Sequence, residues 1–178
     1  MSGKIPYSEL KIVALTKEHD LGYFNSKSLE LNDFLKNDAL DDQKYLINKS
    51  YICFFKTRIT GFFTLLADTI EVKAVDSEDS APDYEYRKYP ALKLARMAVD
   101  VEFEKKGIGR FLLYAVIGKS LLISEQIGCR YLTVDSKPES VGFYEKHGFK
   151  FIKKYKNRDF PPMYLNLYKA FEDLNEDS

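Results

Sequence analysis

Residues 96–113, RMAVDVEFEKKGIGRFLL, constrain this chain more than any other stretch. An apolar strand runs into Lys105-Lys106-Gly107-Ile108-Gly109-Arg110, and a long helix over 107–126 follows. Gly107 and Gly109 let the backbone approach a ligand closely and take positive φ. Successive N–H groups in such a turn face one concavity, and a helix start adds unpaired donors and a positive dipole end. With the charges of Lys105, Lys106 and Arg110, the turn suits a pyrophosphate. Gly-x-Gly alone is a weak signal, and by itself it reads as a tight turn with solvated lysines. Leu112 stands where a dinucleotide fingerprint needs its third glycine, and no Gly-Lys-Ser/Thr of a P-loop occurs.

Around this segment the chain alternates. Strands are predicted at 9–15, 50–56, 61–66, 92–101, 130–135, 149–155 and 163–168, and helices at 27–44 and 140–147. On the first helix Leu29, Leu31, Phe34, Leu35, Ala39 and Leu40 form the apolar face, while Asn32, Asp33, Asp38, Asp41 and Asp42 supply polar surface. Residues 57–60 read as a hairpin turn, and 71–75 extend the second strand of that hairpin or start a loop. Residues 76–90 read as a surface loop of the kind that covers a site, and 171–178 as a frayed acidic tail. Strand, glycine turn, helix, strand, helix, strand is an α/β layout with a parallel crossover, in one domain over 1–178 with its core at about 10–168.

Composition removes several function classes. Lys and Arg number 27 and so do Asp and Glu, so no global basic field draws in nucleic acid. Cys53 and Cys129 sit beside apolar runs and read as buried thiols, and His19 and His147 are far apart, so no metal site is expected. No apolar run approaches the roughly 18 residues of a membrane span, and no signal peptide is visible, so a cytoplasmic location without a membrane partner is expected.

A second motif lies at 134–149, VDSKPESVGFYEKHGF. Pro138 suits a helix start, Ser136 or Ser140 a cap, and Gly148 a helix stop. Phe143 and Tyr144 are adjacent and project in different directions. In this order and spacing, the two motifs resemble the GNAT superfamily of acyl-CoA N-acyltransferases, from near Leu10 to near Tyr168.

That resemblance implies an α/β domain with a mixed central sheet of about six to seven strands flanked by helices, and acetyl-CoA as co-substrate without a metal. It implies that Lys105, Lys106, Gly107, Ile108, Gly109 and Arg110 hold the pyrophosphate, and that Met97, Ala98 and Val99 line the pantetheine arm and polarise the thioester carbonyl. Ser140 and Phe143 join the cofactor-binding set, and Tyr144 is the general acid for the leaving thiolate. By position alone Tyr144 reads as a packing residue. Glu104 stands where the family usually carries Gln or Arg. Asp68, Glu71 and Asp100 are base candidates by strand proximity, and none is assigned.

A looser resemblance, carried by Phe24-Asn25-Ser26, Leu31-Asn32-Asp33-Phe34-Leu35 and Ala95-Arg96-Met97-Ala98-Val99-Asp100, is to the branch that includes toxins acetylating the amino group of aminoacyl-tRNA. The balanced charge and the acids of 76–90 favour a primary amine of a small molecule or protein, attacking directly in a ternary complex. Aminoacyl-tRNA is the alternative, served by Lys153, Lys154, Lys156 and Arg158, which otherwise read as a solvated strand edge. A non-catalytic acyl-CoA-binding module is the third reading, and Tyr144 speaks against it. A second copy of the chain is a further candidate partner.

Overall fold

Alternating apolar residues build seven strands in a computed structural model that describes residues 3–176. They are β1 Leu10–Ala14, β2 Lys49–Phe55, β3 Arg58–Glu71, β4 Lys88–Val99, β5 Tyr131–Asp135, β6 Lys150–Phe151 and β7 Pro162–Asn166. The sheet order is β1-β2-β3-β4-β5-β7-β6. β4 and β5 run parallel, whereas β1/β2, β2/β3, β5/β7 and β6/β7 are antiparallel, so the expected mixed α/β sheet with one parallel crossover forms. The helices are α1 Leu29–Asp33, α2 Ala39–Lys44, α3 Ile108–Ser124, α4 Val141–Lys146 and α5 Leu167–Glu176. A π-helical turn, Phe34–Asp38, joins α1 to α2. None of these helices is long and apolar enough to cross a membrane. The chain divides into two compact units at Leu66/Ala67, Leu94/Ala95 and Val116/Ile117, and β3, β4 and α3 each contribute to both.

In the first unit Phe24, Phe34, Leu35, Ala39, Ile52, Phe62 and Ala98 form one apolar core. Gly61 sets its geometry. A Cβ at that position would lie 2.8 Å from the Ala98 carbonyl oxygen and 2.8 Å from Leu112 Cδ1, so only glycine lets β3 meet β4 and α3 this closely. The hairpin between β2 and β3 is tighter than the sequence suggests, with Lys56 at φ +53 taking part in the turn. Two residues of the first helical segment reverse their expected roles. Leu29, in the first turn of α1, is exposed, and Asn32 is buried. The Asn32 Oδ1 accepts from the Ser26 amide at 2.7 Å and its hydroxyl at 2.8 Å, and Nδ2 donates to Asn25 Oδ1 and Ser26 O, both at 3.0 Å. Asn32 therefore ties 25–26 to α1, and its burial is satisfied by hydrogen bonds.

In the second unit the segment 76–90 is anchored rather than loose. Asp79, 2% exposed, accepts from Tyr164 Oη at 2.9 Å and Asn166 Nδ2 at 3.2 Å, and pairs with Lys150 at 2.9 Å and Lys169 at 2.8 Å. Its carbonyl accepts from the Tyr131 hydroxyl and from Arg130 Nη2. Tyr89 and Tyr164 accept from the Ala81 and Asp76 amides, and Tyr84 stacks on Tyr89 at 4.3 Å. Lys150 also meets Glu78 at 2.5 Å, and Lys153 meets Asp76 at 2.9 Å.

Two predicted strands are shorter than expected. The one at 149–155 forms only β6, because the chain turns at Ile152, whose carbonyl accepts the Tyr155 amide. The one at 163–168 stops at Asn166, whose Oδ1 accepts the Lys169 amide and starts α5. The expected frayed tail is therefore helical through Glu176, and its last residues lie outside those described.

Burial alone would raise the Asp79 pKa, but the bonds from Lys169, Lys150, Tyr164 and Asn166 outweigh it and hold the carboxyl well below its ordinary 3.8. A depressed pKa contributes stability above the unfolded-state value, and that stability is lost as pH falls through the folded-state value. Asp79→Ala is expected to lower the unfolding free energy by about 3–5 kcal/mol in urea titrations at neutral pH. The gap to wild type should narrow as pH drops below about 4, and a gap independent of pH would show that the charge is not what matters.

Candidate active site

Beyond β4 a 3-10 turn, Val101–Phe103, is capped by Asp100. Its Oδ1 accepts the Glu102 amide and its Oδ2 the Asn25 amide, both at 2.9 Å. Both oxygens are engaged and the residue is buried, so Asp100 acts as a structural cap and not as a free base. Asp68 is similarly engaged, accepting from Thr133 Oγ1 at 2.6 Å and the Thr69 amide at 2.8 Å.

The glycine turn then forms, with a difference from expectation. Positive φ occurs at Gly107 (+89°) and at Lys105 (+60°), whereas Gly109 lies within α3 without one. A Cβ at Gly109 would meet only Val99 Cγ2, at an ordinary 3.9 Å. Internal packing therefore does not require glycine there. What glycine provides is open backbone at a helix start, where phosphate oxygens can approach. The helix ladder opens with the Phe111 amide on the Gly107 carbonyl at 3.1 Å, so the amides of Ile108, Gly109 and Arg110 precede it as donors. Ile108 is buried and anchors the turn, whereas Lys105 and Arg110 are exposed and Lys106 lies over the Phe103 ring at 5.0 Å. Glu104 pairs with Lys27 at 2.6 Å, which neutralises the carboxylate beside the glycine turn.

Sequence reasoning missed the N-terminal support of this turn. The Ile5 amide donates to the Lys106 carbonyl at 3.0 Å, and the Tyr7 ring packs on Phe111 at 5.1 Å. No local motif marks either residue, because their partners lie some hundred positions away.

Alternation along β4 buries Ala98 in the core and leaves Met97 and Val99 half-buried on the other face. The ladder with β5 covers Ala91 to Leu94, and β4 continues to Val99. The segment assigned to the pantetheine arm therefore extends past that ladder.

The tyrosine helix is α4, preceded by a 3-10 turn at Pro138–Ser140. Neither candidate serine caps it. Ser140 occupies the cap position without a side-chain bond, and Ser136 Oγ donates to the Lys137 carbonyl. Gly148 takes φ +88° and stops the helix as expected. Tyr144 is buried between Phe143 at 5.3 Å and Phe149 at 5.2 Å. Burial pushes its pKa up to about 12, and no hydrogen bond of its hydroxyl opposes this. The phenol is protonated throughout the physiological range and is available as a proton donor.

The open amides at the start of α3 and the buried phenol of Tyr144 are the features to which the sequence resemblance assigns roles. Residues 80–164 match the family described as the Acetyltransferase (GNAT) domain. The tRNA-acetylating toxin of Mycobacterium tuberculosis (strain ATCC 25618 / H37Rv) is 26% identical over 135 residues, 73% of this chain and 78% of that protein. Two solved structures share the fold. AtaT complexed with acetyl-methionyl-tRNAfMet gives a TM-score of 0.82 at 23% identity, over 93% of this chain and 98% of that one. AtaTR bound with AcCoA gives 0.78 at 24% identity, over 94% and 98%. Residues 80–164 thus match the GNAT acetyltransferase family, and the fold is that of the two AtaT structures.

Saturation with acetyl-CoA at about 100 times its Kd should add ~2.7 kcal/mol of stability, visible as a melting shift. Gly109→Glu should melt like wild type without ligand, since the position has room, and should lose the shift, since the carboxylate fills and repels the cradle. A retained shift would remove the phosphate role from this turn.

Proposed function

We propose that this chain transfers the acetyl group of acetyl-CoA to the α-amino group of an aminoacyl-tRNA. The observation that carries this reading is the 26% identity to a tRNA-acetylating toxin across 73% of the chain. A feature of the second unit supports it. Three of the five acids of 76–90 are engaged within the chain, since Asp76, Glu78 and Asp79 pair with Lys153, Lys150 and Lys169, which leaves Asp83 and Glu85 to face solvent. The balanced total of 27 basic and 27 acidic residues favours the second reading, a small-molecule or protein amine.

In the proposed mechanism Lys105, Lys106, Gly107, Ile108, Gly109 and Arg110 hold the pyrophosphate, and Met97, Ala98 and Val99 line the pantetheine arm. Ser140 and Phe143 complete the cofactor contacts. The neutral amine attacks the thioester carbonyl, so that a C–N bond forms and the C–S bond breaks. The amine loses its proton to solvent, and Tyr144 gives one to the departing thiolate. An α-amino group titrates near ~8, well below the phenol at about 12. Turnover should therefore rise with pH through the amine's range and show no falling limb from Tyr144 below about pH 10.

Labelled acetyl-CoA incubated with purified charged tRNA should yield N-acetyl-aminoacyl-adenosine after nuclease digestion. Tyr144→Phe should keep the acetyl-CoA melting shift and slow transfer by on the order of 10²–10⁴-fold. An unlabelled wild-type reaction contradicts the acceptor. An undiminished Tyr144→Phe rate, with chemistry rate-limiting, leaves Tyr144 as packing.

A further inference from the structure

The segment after β6 folds into consecutive tight turns. The Tyr155 amide donates to Ile152 O at 2.9 Å, Lys156 to Lys153 O at 3.3 Å and Arg158 to Tyr155 O at 3.1 Å, and the Ile152 amide closes the base on Pro162 O at 3.0 Å. Its cations divide into two groups. Lys153 pairs with Asp76, whereas Lys154, Lys156 and Arg158 have no carboxylate partner among the described residues. These three instead rest on aromatic faces. Lys154 Nζ lies 5.2 Å from the Tyr155 ring centre, the Arg158 guanidinium 3.9 Å from the same ring, and Lys156 Nζ 4.9 Å from Phe151. Tyr155 is half-buried against the core of its unit, so the platform is fixed while the charges remain exposed. Phe160 is 55% exposed and, with Asp135, Asn157, Arg158 and Asp159, lines a recess of about 530 Å³ at the end of β5. From that end the chain runs through Pro138–Ser140 into the helix of Tyr144.

We infer that residues 153–160 form the surface that grips the acceptor RNA, with Lys154, Lys156 and Arg158 on its phosphates and Phe160 stacking a base of its single-stranded 3′ end. The inference rests on the aminoacyl-tRNA reading above and assigns the contact surface for it. Exposed cations interleaved with an aromatic face are what single-stranded nucleic acid needs, because phosphates supply the salt-dependent affinity and every base offers a π-face. The alternative occupant, an acidic peptide, would use the cations but leave Phe160 without a planar partner. Asp135 does not oppose the RNA, since it pairs with Lys93 at 2.5 Å. Asp159 is the one acid on the turn itself, and an exposed carboxylate can accept from a base edge or a 2′-hydroxyl. Because the turns are preformed, binding orders little backbone.

The test uses deacylated tRNA, which carries no amine to acetylate and so reports binding alone. Wild type should bind it with a steep salt dependence. The Lys154→Gln/Lys156→Gln/Arg158→Gln variant should bind at least about tenfold more weakly at physiological salt, with a slope of log affinity against log salt reduced by roughly 2–3 units. Its acetyl-CoA melting shift should equal that of wild type, which excludes misfolding. Phe160→Ala should lose on the order of tenfold against intact tRNA and nothing against tRNA trimmed of its single-stranded 3′ end. Unchanged affinity and slope in the triple variant overturn the inference even where charged tRNA is acetylated. Loss of binding in the triple variant, with charged tRNA left unacetylated, supports the surface and removes the proposed reaction instead. Equal losses with an acidic peptide and with tRNA, and no effect of Phe160→Ala, assign the turn to a protein partner and overturn it as well.

Discussion

The contact at Gly61 governs the first unit. The Ala98 carbonyl and the Leu112 side chain approach so closely that no other residue type fits, and this seats α3 on β3 and β4. Because α3 begins at the glycine turn, the same contact fixes the amides of its first residues relative to Met97 and Val99. The turn is then held from three further directions: Ile108 inside, Ile5 and Tyr7 from the N-terminus, and Lys27 on Glu104. Donors that need no rearrangement on binding favour an anion, and the packing gives the turn proposed to hold the pyrophosphate that rigidity.

The second unit is organised around a buried charge. Asp79 collects two lysines, a tyrosine and an asparagine, and neighbouring tyrosines bond the amides and carbonyls of 76–90. The consequence for function is electrostatic. Charges counted along the chain balance, but charges free to act at a surface do not follow from that count. Asp76, Glu78 and Asp79 of this segment are engaged by lysines, while three cations a few residues beyond β6 have no carboxylate partner among the described residues. A global sum of zero is therefore compatible with a local basic surface.

The fold was legible where the signals are local. The seven strands, the parallel crossover and the long helix follow from apolar period and turn residues, and the tight turn before α3 from its glycines. Illegible features depend on distant partners. Asn32 reads as surface until Ser26 and Asn25 are placed against it, and Asp79 reads as a loop acid until residues 150, 164, 166 and 169 surround it. Strand ends at 152 and 166 were overrun because apolar residues continue into a turn and into α5. Gly109 shows the reverse case, since its lack of internal necessity became visible only once the space around it was known. Tyr144 lay between these cases. Its position gave packing, the resemblance gave a proton donor, and the structure adds burial that keeps it protonated.

The central claim concerns where the acetyl group goes, and a competition among all acceptors addresses it most directly. A cell lysate incubated with the protein and labelled acetyl-CoA can be separated into RNA, protein and small molecules. The account predicts label in the RNA fraction, released by mild alkali as N-acetyl-amino acids from the ester linkage to tRNA. Label on protein lysines or N-termini or in small amines, with the RNA fraction unlabelled, would contradict it.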